Sequence, residues 1–283
     1  MRNVSVMNYN YQRYPLEYFL ESMNRLEVGA IELWAAEPHL YVEDLPAARL
    51  SALRREIVSR ELKVACFTPE QCVYPINIAA RDERLRARSV DYFKKSLAVA
   101  AELESPLLLV VPGSGFYNEP KEEGFKRSAE SLRTLGEEAA KYGIHIVMET
   151  RTPYGTNLVN NIGDLRRLID EVDSPFVDPM LDTVPMNVAG EDVRAWLDAF
   201  GSRLRHVHFC DGDGKGGSNM AVGDGVFPMR DYWELLNKEY EGYLTLELVV
   251  NRYYLEPEKE VRKCLERLQA MSEPEAGQIR QTI

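Results

Sequence analysis

Four ionisable residues end four consecutive apolar runs of this chain. His145-Ile-Val-Met-Glu149 ends on a glutamate and Pro179-Met-Leu-Asp182 on an aspartate. His206-Val-His208 follows with imidazole, and Tyr243-Leu-Thr-Leu-Glu247 ends on a second glutamate. A carboxylate inside an apolar strand is costly to bury as an isolated charge. Taken singly, each of these residues can be a salt bridge or a strand-end cap. Taken together, they point to a shared divalent cation, held by Glu149, Asp182, His208 and Glu247. Mixed oxygen and imidazole donors suit Mn²⁺, Co²⁺, Mg²⁺, Ni²⁺ or Zn²⁺ over a metal that prefers thiolates. Manganese is the first choice. His206 shares strand parity with His208 and is expected in a second layer or facing substrate, whereas His145, four residues before Glu149, is expected to be structural.

Such residues need a scaffold that brings several strand ends to one rim. Short β-rich runs cover 4–8, 30–34, 63–68, 107–112, 145–150, 178–183, 206–210 and 243–249, with amphipathic segments between them. Between 82 and 103, Leu85, Val90, Phe93, Leu97 and Ala101 recur at helical spacing, and Asp82 can cap the start. Gly143 stands where a left-handed helix stop is expected. Eight strand–helix repeats allow a closed barrel or a doubly wound sheet. The first strand is followed by no Gly-rich phosphate fingerprint, which disfavours a dinucleotide-binding sheet. A single-domain α/β (β/α)₈ TIM barrel over residues 1–271 is therefore expected; its 283-residue chain exceeds the roughly 250 residues of such a barrel by a short tail, 272–283, expected to be mobile. Catalytic groups of this fold stand at the C-terminal ends of strands, where the four residues fall. The stretch 211–228 carries Gly212, Gly214, Gly216, Gly217, Gly223 and Gly225 and is expected to be a long loop of the kind that forms lids.

Composition narrows the function classes. The net charge of −11 argues against a nucleic-acid partner, which calls for concentrated positive surface. Cys66, Cys72, Cys210 and Cys264 form no Cys-x-x-Cys pair. There is neither a secretory start nor an apolar run near the roughly 20 residues that span a bilayer. Free thiols in a reducing cytoplasm, with no membrane partner, are the expectation, and buried Cys66 and Cys210 are read as small packing groups.

These residues resemble the xylose-isomerase-like superfamily of sugar epimerases and isomerases, over about residues 30–268. Its metal set, Glu, Asp, His and Glu on strands five to eight, matches Glu149, Asp182, His208 and Glu247. Further similar segments are Ile31-Glu-Leu-Trp34 with Pro38-His39, Thr68-Pro-Glu70 with Tyr74-Pro75, and Thr152-Pro-Tyr154 with Asn157. Leu204-Arg-His-Val-His208 with Asp211 and Asp213, and Tyr240-Glu-Gly-Tyr243 leading to Glu247-Leu-Val249, complete the set. The flanking segments point to the narrower group of fructoselysine 3-epimerases.

The resemblance implies a cytoplasmic homo-oligomer, dimer or tetramer, acting on a sugar or sugar-amine. The cation would polarise a ketose carbonyl and its neighbouring hydroxyl. Glu149 and Glu247 would then move protons on opposite faces of C3 through an enediolate. Trp34, His39, Glu70, Tyr154, His206, Asp211 and Asp213 are the expected substrate contacts. Asp211 and Asp213 are equally suited to meeting a cationic amine and to capping a Gly-rich turn. Phe116, Tyr117, Tyr253 and Tyr254 are further candidates for the pocket wall. Three positions depart from ketose 3-epimerases. Pro185 replaces a His, Gly155 a Glu and Gly214 an Arg; each loses a substrate contact and leaves the metal set intact. The alternatives are a metal-dependent lyase on the same site, like inosose dehydratase or a C-glycoside deglycosidase, and more remotely an apurinic endonuclease. The last needs extra His ligands, in a chain with four His. A non-catalytic binding protein would hold no tight metal.

Overall fold

The computed structural model describes residues 3–72, 75–216 and 218–273. Tyr74, Gly217 and the expected tail from residue 274 onward lie outside them. Eight parallel strands close into one barrel in sequence order: β1 Val4–Met7, β2 Ala30–Ala35, β3 Lys63–Pro69, β4 Leu107–Val110, β5 His145–Glu149, β6 Val177–Asp182, β7 His206–His208 and β8 Leu244–Leu246. β8 pairs with β1 through Val4 opposite Leu244. All eight β-rich runs read from the sequence are strands. Helices α1 Leu16–Arg25, α2 Ala47–Ser59, α3 Glu83–Glu102, α4 Lys121–Tyr142 and α5 Ile162–Val172 follow β1 to β5. α6 Thr183–Val188 and α7 Val193–Phe200 follow β6, α8 Met229–Glu239 follows β7, and α9 Pro257–Ser272 follows β8.

Local chemistry sets the helix ends. The Asp82 carboxylate accepts from the Leu85 N–H at 2.8 Å and starts α3, and Asn161 does the same for α5 through Asp164. Gly143 stops α4 at φ +67°, a conformation that costs glycine nothing. On α3 the buried face is Ser89, Tyr92, Phe93, Ser96, Leu97 and Ala100, the 3.6-residue stripe that packs against the sheet.

The barrel interior is divided. Cys66, Leu107, Leu109, Val147 and Met180 form an apolar cluster of their own, separate from the larger core between sheet and helices. The other side is polar and buried, built from Ser5, Glu32, His206 and Thr245. Because strand side chains alternate with period two, an inward Val147 puts Glu149 inward, and an inward Met180 does the same for Asp182. Register then brings neighbours level: Asp182 sits opposite His208, and His208 opposite Thr245.

The described residues of the Gly-rich stretch after β7 are tied down at several points. Asp211 and Met220 form an antiparallel bridge. The buried Asp211 carboxylate accepts four backbone N–H groups, from Gly212, Gly223, Gly225 and Phe227, at 2.8 to 3.0 Å. Asp224 pairs with Arg267 of α9 at 2.8 Å. These bonds anchor the described residues of the loop to the rim and to α9. A Cβ at Gly225 would lie 2.3 Å from both the Asp211 carboxylate and the Gly212 carbonyl. Gly225→Ala is therefore expected to loosen this loop. Limited proteolysis should cut within 212–224 faster than in the parent, with a lower melting temperature.

Candidate metal centre

Strand ends deliver the four donors. Glu149, Asp182 and His208 are the last residues of β5, β6 and β7, and Glu247 follows β8 directly. One donor atom from each lies within 4.8 Å of all the others. The His208 Nδ1 stands 3.4 Å from Glu149 Oε1 and 3.1 Å from Glu247 Oε2. Both His208 Nδ1 and Glu149 Oε1 are buried with no hydrogen-bond partner, which is rare for polar atoms in a folded chain. A cation between them would satisfy both, so the donor set fits one divalent ion.

The remaining donor atoms are held by the protein. Arg151 donates to Glu149 Oε2 at 2.7 Å, leaving Oε1 to face His208. The Val184 N–H donates to Asp182 Oδ1 at 2.8 Å, which makes Asp182 the cap of α6 as well. Asn219 Nδ2, from the Gly-rich loop, reaches Asp182 Oδ2 at 3.1 Å and Glu247 Oε2 at 2.5 Å. Below them lies a fourth carboxylate. Glu32, fully buried on β2, binds His208 Nε2 through Oε1 at 3.0 Å and His206 Nε2 through Oε2 at 2.6 Å. Thr68 donates to Glu32 Oε1 at 2.5 Å. A carboxylate behind a ligating imidazole fixes its tautomer and raises its basicity, and here it turns Nδ1 toward the donor cluster.

Electrostatics record the crowding. Burial, then the charges of Glu149 and Glu247, push the Asp182 carboxyl up to about 8. Burial would lift Glu149 too, but Arg151 and His208 outweigh it and hold that carboxyl down to about 2. Burial acts against a charged His208, yet Glu32 and Glu247 outweigh it and push the imidazole well above its ordinary range. Burial pushes the Cys66 and Cys210 thiols well up, and the four cysteines are free.

The expected substrate contacts divide. Trp34, on β2, packs its ring 4.6 Å from that of Tyr9, and its indole N–H donates to Glu70 at 3.0 Å. Tyr154 stands 79% exposed on the β5–α5 loop. The reading of His39 is corrected. It is buried, with Nδ1 against Asn8 at 2.7 Å and Nε2 against the Tyr14 carbonyl at 2.9 Å, so both ring nitrogens are spent on the chain. Asn8 in turn grips the Trp34 backbone from both sides. Of the two places expected for His206, the structure shows the second layer, beneath the donor cluster with Nε2 on Glu32 and Thr245. Asp211 and Asp213 cap turns, Asp213 through the Lys215 and Gly216 N–H groups. His145 sits at the opposite end of the strands against Asp178 at 2.7 Å.

Glu32, Arg151, Asn219 and Tyr9 are the residues missed from the sequence. Glu32 had a signal, as the one charge within an apolar β2, and Arg151 had parity with Glu149. Asn219 had none, because its place depends on how the loop folds.

Two outcomes follow for cation binding. Asp182 keeps a proton below about pH 8, and a cation must displace it. His208, whose imidazole is also pushed up, gives up its proton as well, so Mn²⁺ affinity, measured by calorimetry, should rise with pH through about 8, and Asp182→Asn should weaken binding and make that slope shallower. Glu32→Gln keeps the shape but removes the charge behind His208, and should weaken Mn²⁺ binding by about 10–100-fold.

Among the described residues, no helix is long and apolar enough to cross a membrane. Comparison with known proteins follows the same fold. Fructoselysine 3-epimerase of Escherichia coli O157:H7 is 32% identical over 262 residues, 92% of this chain and 95% of that protein. Inosose dehydratase of Bacillus thuringiensis (strain Al Hakam) is 28% identical over 152 residues, 47% of this chain and 50% of that one. The D-psicose 3-epimerase of Clostridium cellulolyticum H10, solved with D-tagatose, superposes with a TM-score of 0.78 at 18% identity, covering 96% of this chain and 100% of that one. The model of the Xylose isomerase-like TIM barrel family matches residues 20–271. The chain belongs to the Xylose isomerase-like TIM barrel family and is an isomerase of the epimerase type.

Proposed function

We propose that this protein epimerises a ketose or ketosamine at C3, next to the carbonyl, with Glu149 and Glu247 as the proton-transferring residues. The observation that carries the reading is the placement of two glutamates on either side of Asp182 and His208, all four with donor atoms within 4.8 Å. Similarity to fructoselysine 3-epimerase over nearly the whole chain supports a ketosamine of that kind. Glu149, Asp182, His208 and Glu247 would hold one divalent cation, for which manganese is our first choice. When bound, such an ion polarises a carbonyl and acidifies the neighbouring C–H.

The chain's own residues supply the rest. One glutamate takes the C3 proton from one face, leaving an enediolate. The other, protonated, returns a proton to the opposite face. The first ends protonated and the second ionised, and exchange with water resets the pair. Arg151 fixes the Glu149 carboxylate by one oxygen, and Asn219 fixes Glu247. Fixing each base in advance avoids reorganisation during proton transfer. Trp34, Glu70 and Tyr154 remain our proposed substrate contacts, with the tilted Tyr9–Trp34 pair as an apolar wall for the sugar ring.

The similarity to inosose dehydratase over 152 residues favours a second reading, a lyase that loses water from the same enediolate. Incubation in D₂O with Mn²⁺ and a panel of fructoselysine, psicose, tagatose and an inosose separates the two by NMR. Deuterium at C3 with a new epimer is the expected result, and an unsaturated product would assign the lyase. Glu149→Gln and Glu247→Gln should each lower turnover at least about 100-fold with circular dichroism unchanged. Near-full activity in either would end the two-glutamate mechanism.

A further inference from the structure

A cavity of about 480 Å³ opens beside the donor cluster, between the loops that follow β3, β4 and β5. Its size is that of a small-molecule site. Arg151 is shared between cavity and cluster: it lines the cavity and donates to Glu149 at 2.7 Å. Ile76, Leu85, Val111 and Phe116 give the cavity an apolar wall. Two more arginines, Arg81 and Arg127, stand in the same lining. Arg81 is paired with Glu119. Arg127 donates its Nε to the Ala79 carbonyl at 2.9 Å and has no carboxylate partner among the described residues. The acidic group of the lining, Asp82, is spent on the Leu85 N–H as the cap of α3.

Hydrogen bonds join the described parts of the walls. Asn77 accepts from the Ala79 and Ser114 N–H groups at 3.0 Å and donates to the Ser114 carbonyl at 2.9 Å. Thr156 donates to the Gly113 carbonyl at 2.6 Å and joins the β5 loop to the β4 loop. Gly113 is held at φ +74°, and a Cβ there would meet Asn77 Oδ1 at 2.4 Å. A preformed cavity with an aliphatic wall and a cationic end suits an alkyl chain that ends in a negative charge, because an arginine fork binds carboxylates with charge-assisted hydrogen bonds.

We infer that this cavity is a tail subsite: it takes the part of the substrate away from the reacting carbon, an alkyl stem ending in a carboxylate, with Arg127 as the anchoring cation. A phosphate shares the anionic chemistry. The Asp82 carboxylate in the same lining favours the singly charged group over a doubly charged one. The inference rests on the epimerase reading for which end of the substrate reacts.

Two fructosyl adducts of matched length test it, one of 6-aminohexanoate and one of hexylamine, titrated into the full chain with Mn²⁺ by calorimetry. The carboxylate adduct should bind roughly tenfold or more tightly than the alkyl one, the scale of a hydrogen bond to a charged group. Arg127→Gln should erase that preference, and Arg127→Lys should retain part of it. Equal binding of the two adducts to the parent protein, or a preference that survives Arg127→Gln, would overturn the inference. Tighter, Arg127-dependent binding of fructose 6-phosphate would replace the carboxylate by a phosphate. Deuterium exchange at C3 is followed on the same adducts: the predicted binding preference without exchange would retire the epimerase reading and leave the subsite standing.

Discussion

Glu149, Asp182 and Glu247 converge on one imidazole at the mouth of the barrel, and a fourth carboxylate, Glu32, lies buried beneath it. Four acidic groups so close and so dry repel one another, and removing each ion from water costs several kcal/mol. The surroundings show the protein meeting that cost in parts. Arg151 offsets Glu149, Asn219 bridges Asp182 and Glu247, and two histidines and Thr68 surround Glu32. Within the four-residue donor set they leave two buried atoms without partners, His208 Nδ1 and Glu149 Oε1. The proposed cation completes this arrangement.

The fold makes that convergence possible through parity and register. Parallel strands covered on both faces place every second side chain inside the barrel, so an apolar side of Leu107, Leu109, Val147 and Met180 faces a polar side of Ser5, Glu32, His206 and Thr245. The apolar side keeps the strands packed, while the polar side braces His208 through Glu32. The Gly-rich loop is a structural arm of the same centre. Asp211 gathers its backbone so that Asn219 reaches two carboxylates at once. Asp211, as a turn cap, therefore acts on the centre from a distance.

The strands and the donor set were legible in the sequence because both are periodic: alternating runs mark strands, and their last residues mark the rim. Glu149, Asp182 and His208 end strands, with Glu247 one residue beyond, as that logic requires. The environment of each side chain was less legible. His39 and His206 carry the right chemistry for substrate, but both ring nitrogens of His39 bind Asn8 and Tyr14, and Nε2 of His206 binds Glu32 and Thr245, across distances in sequence that no spacing reports. Asn219 and Arg127 escaped for the same reason, since their positions depend on loop closure and helix packing. Asp211 shows the ambiguity directly: an acidic residue in a Gly-rich stretch reads equally as a ligand contact or a turn cap, and only the four converging N–H groups decide between them.

The central claim is that one cation joins Glu149, Asp182, His208 and Glu247. Among the described residues a second group, Glu32 with His206 and His208, also has metal-ligating chemistry, although its atoms are already bound to one another. Anomalous diffraction at the manganese edge, from crystals grown with Mn²⁺, separates the two. The account predicts a single peak per chain, within bonding distance of Glu149 Oε1 and His208 Nδ1. A peak on Glu32 and His206, or none at the barrel mouth with Mn²⁺ in excess, would contradict it.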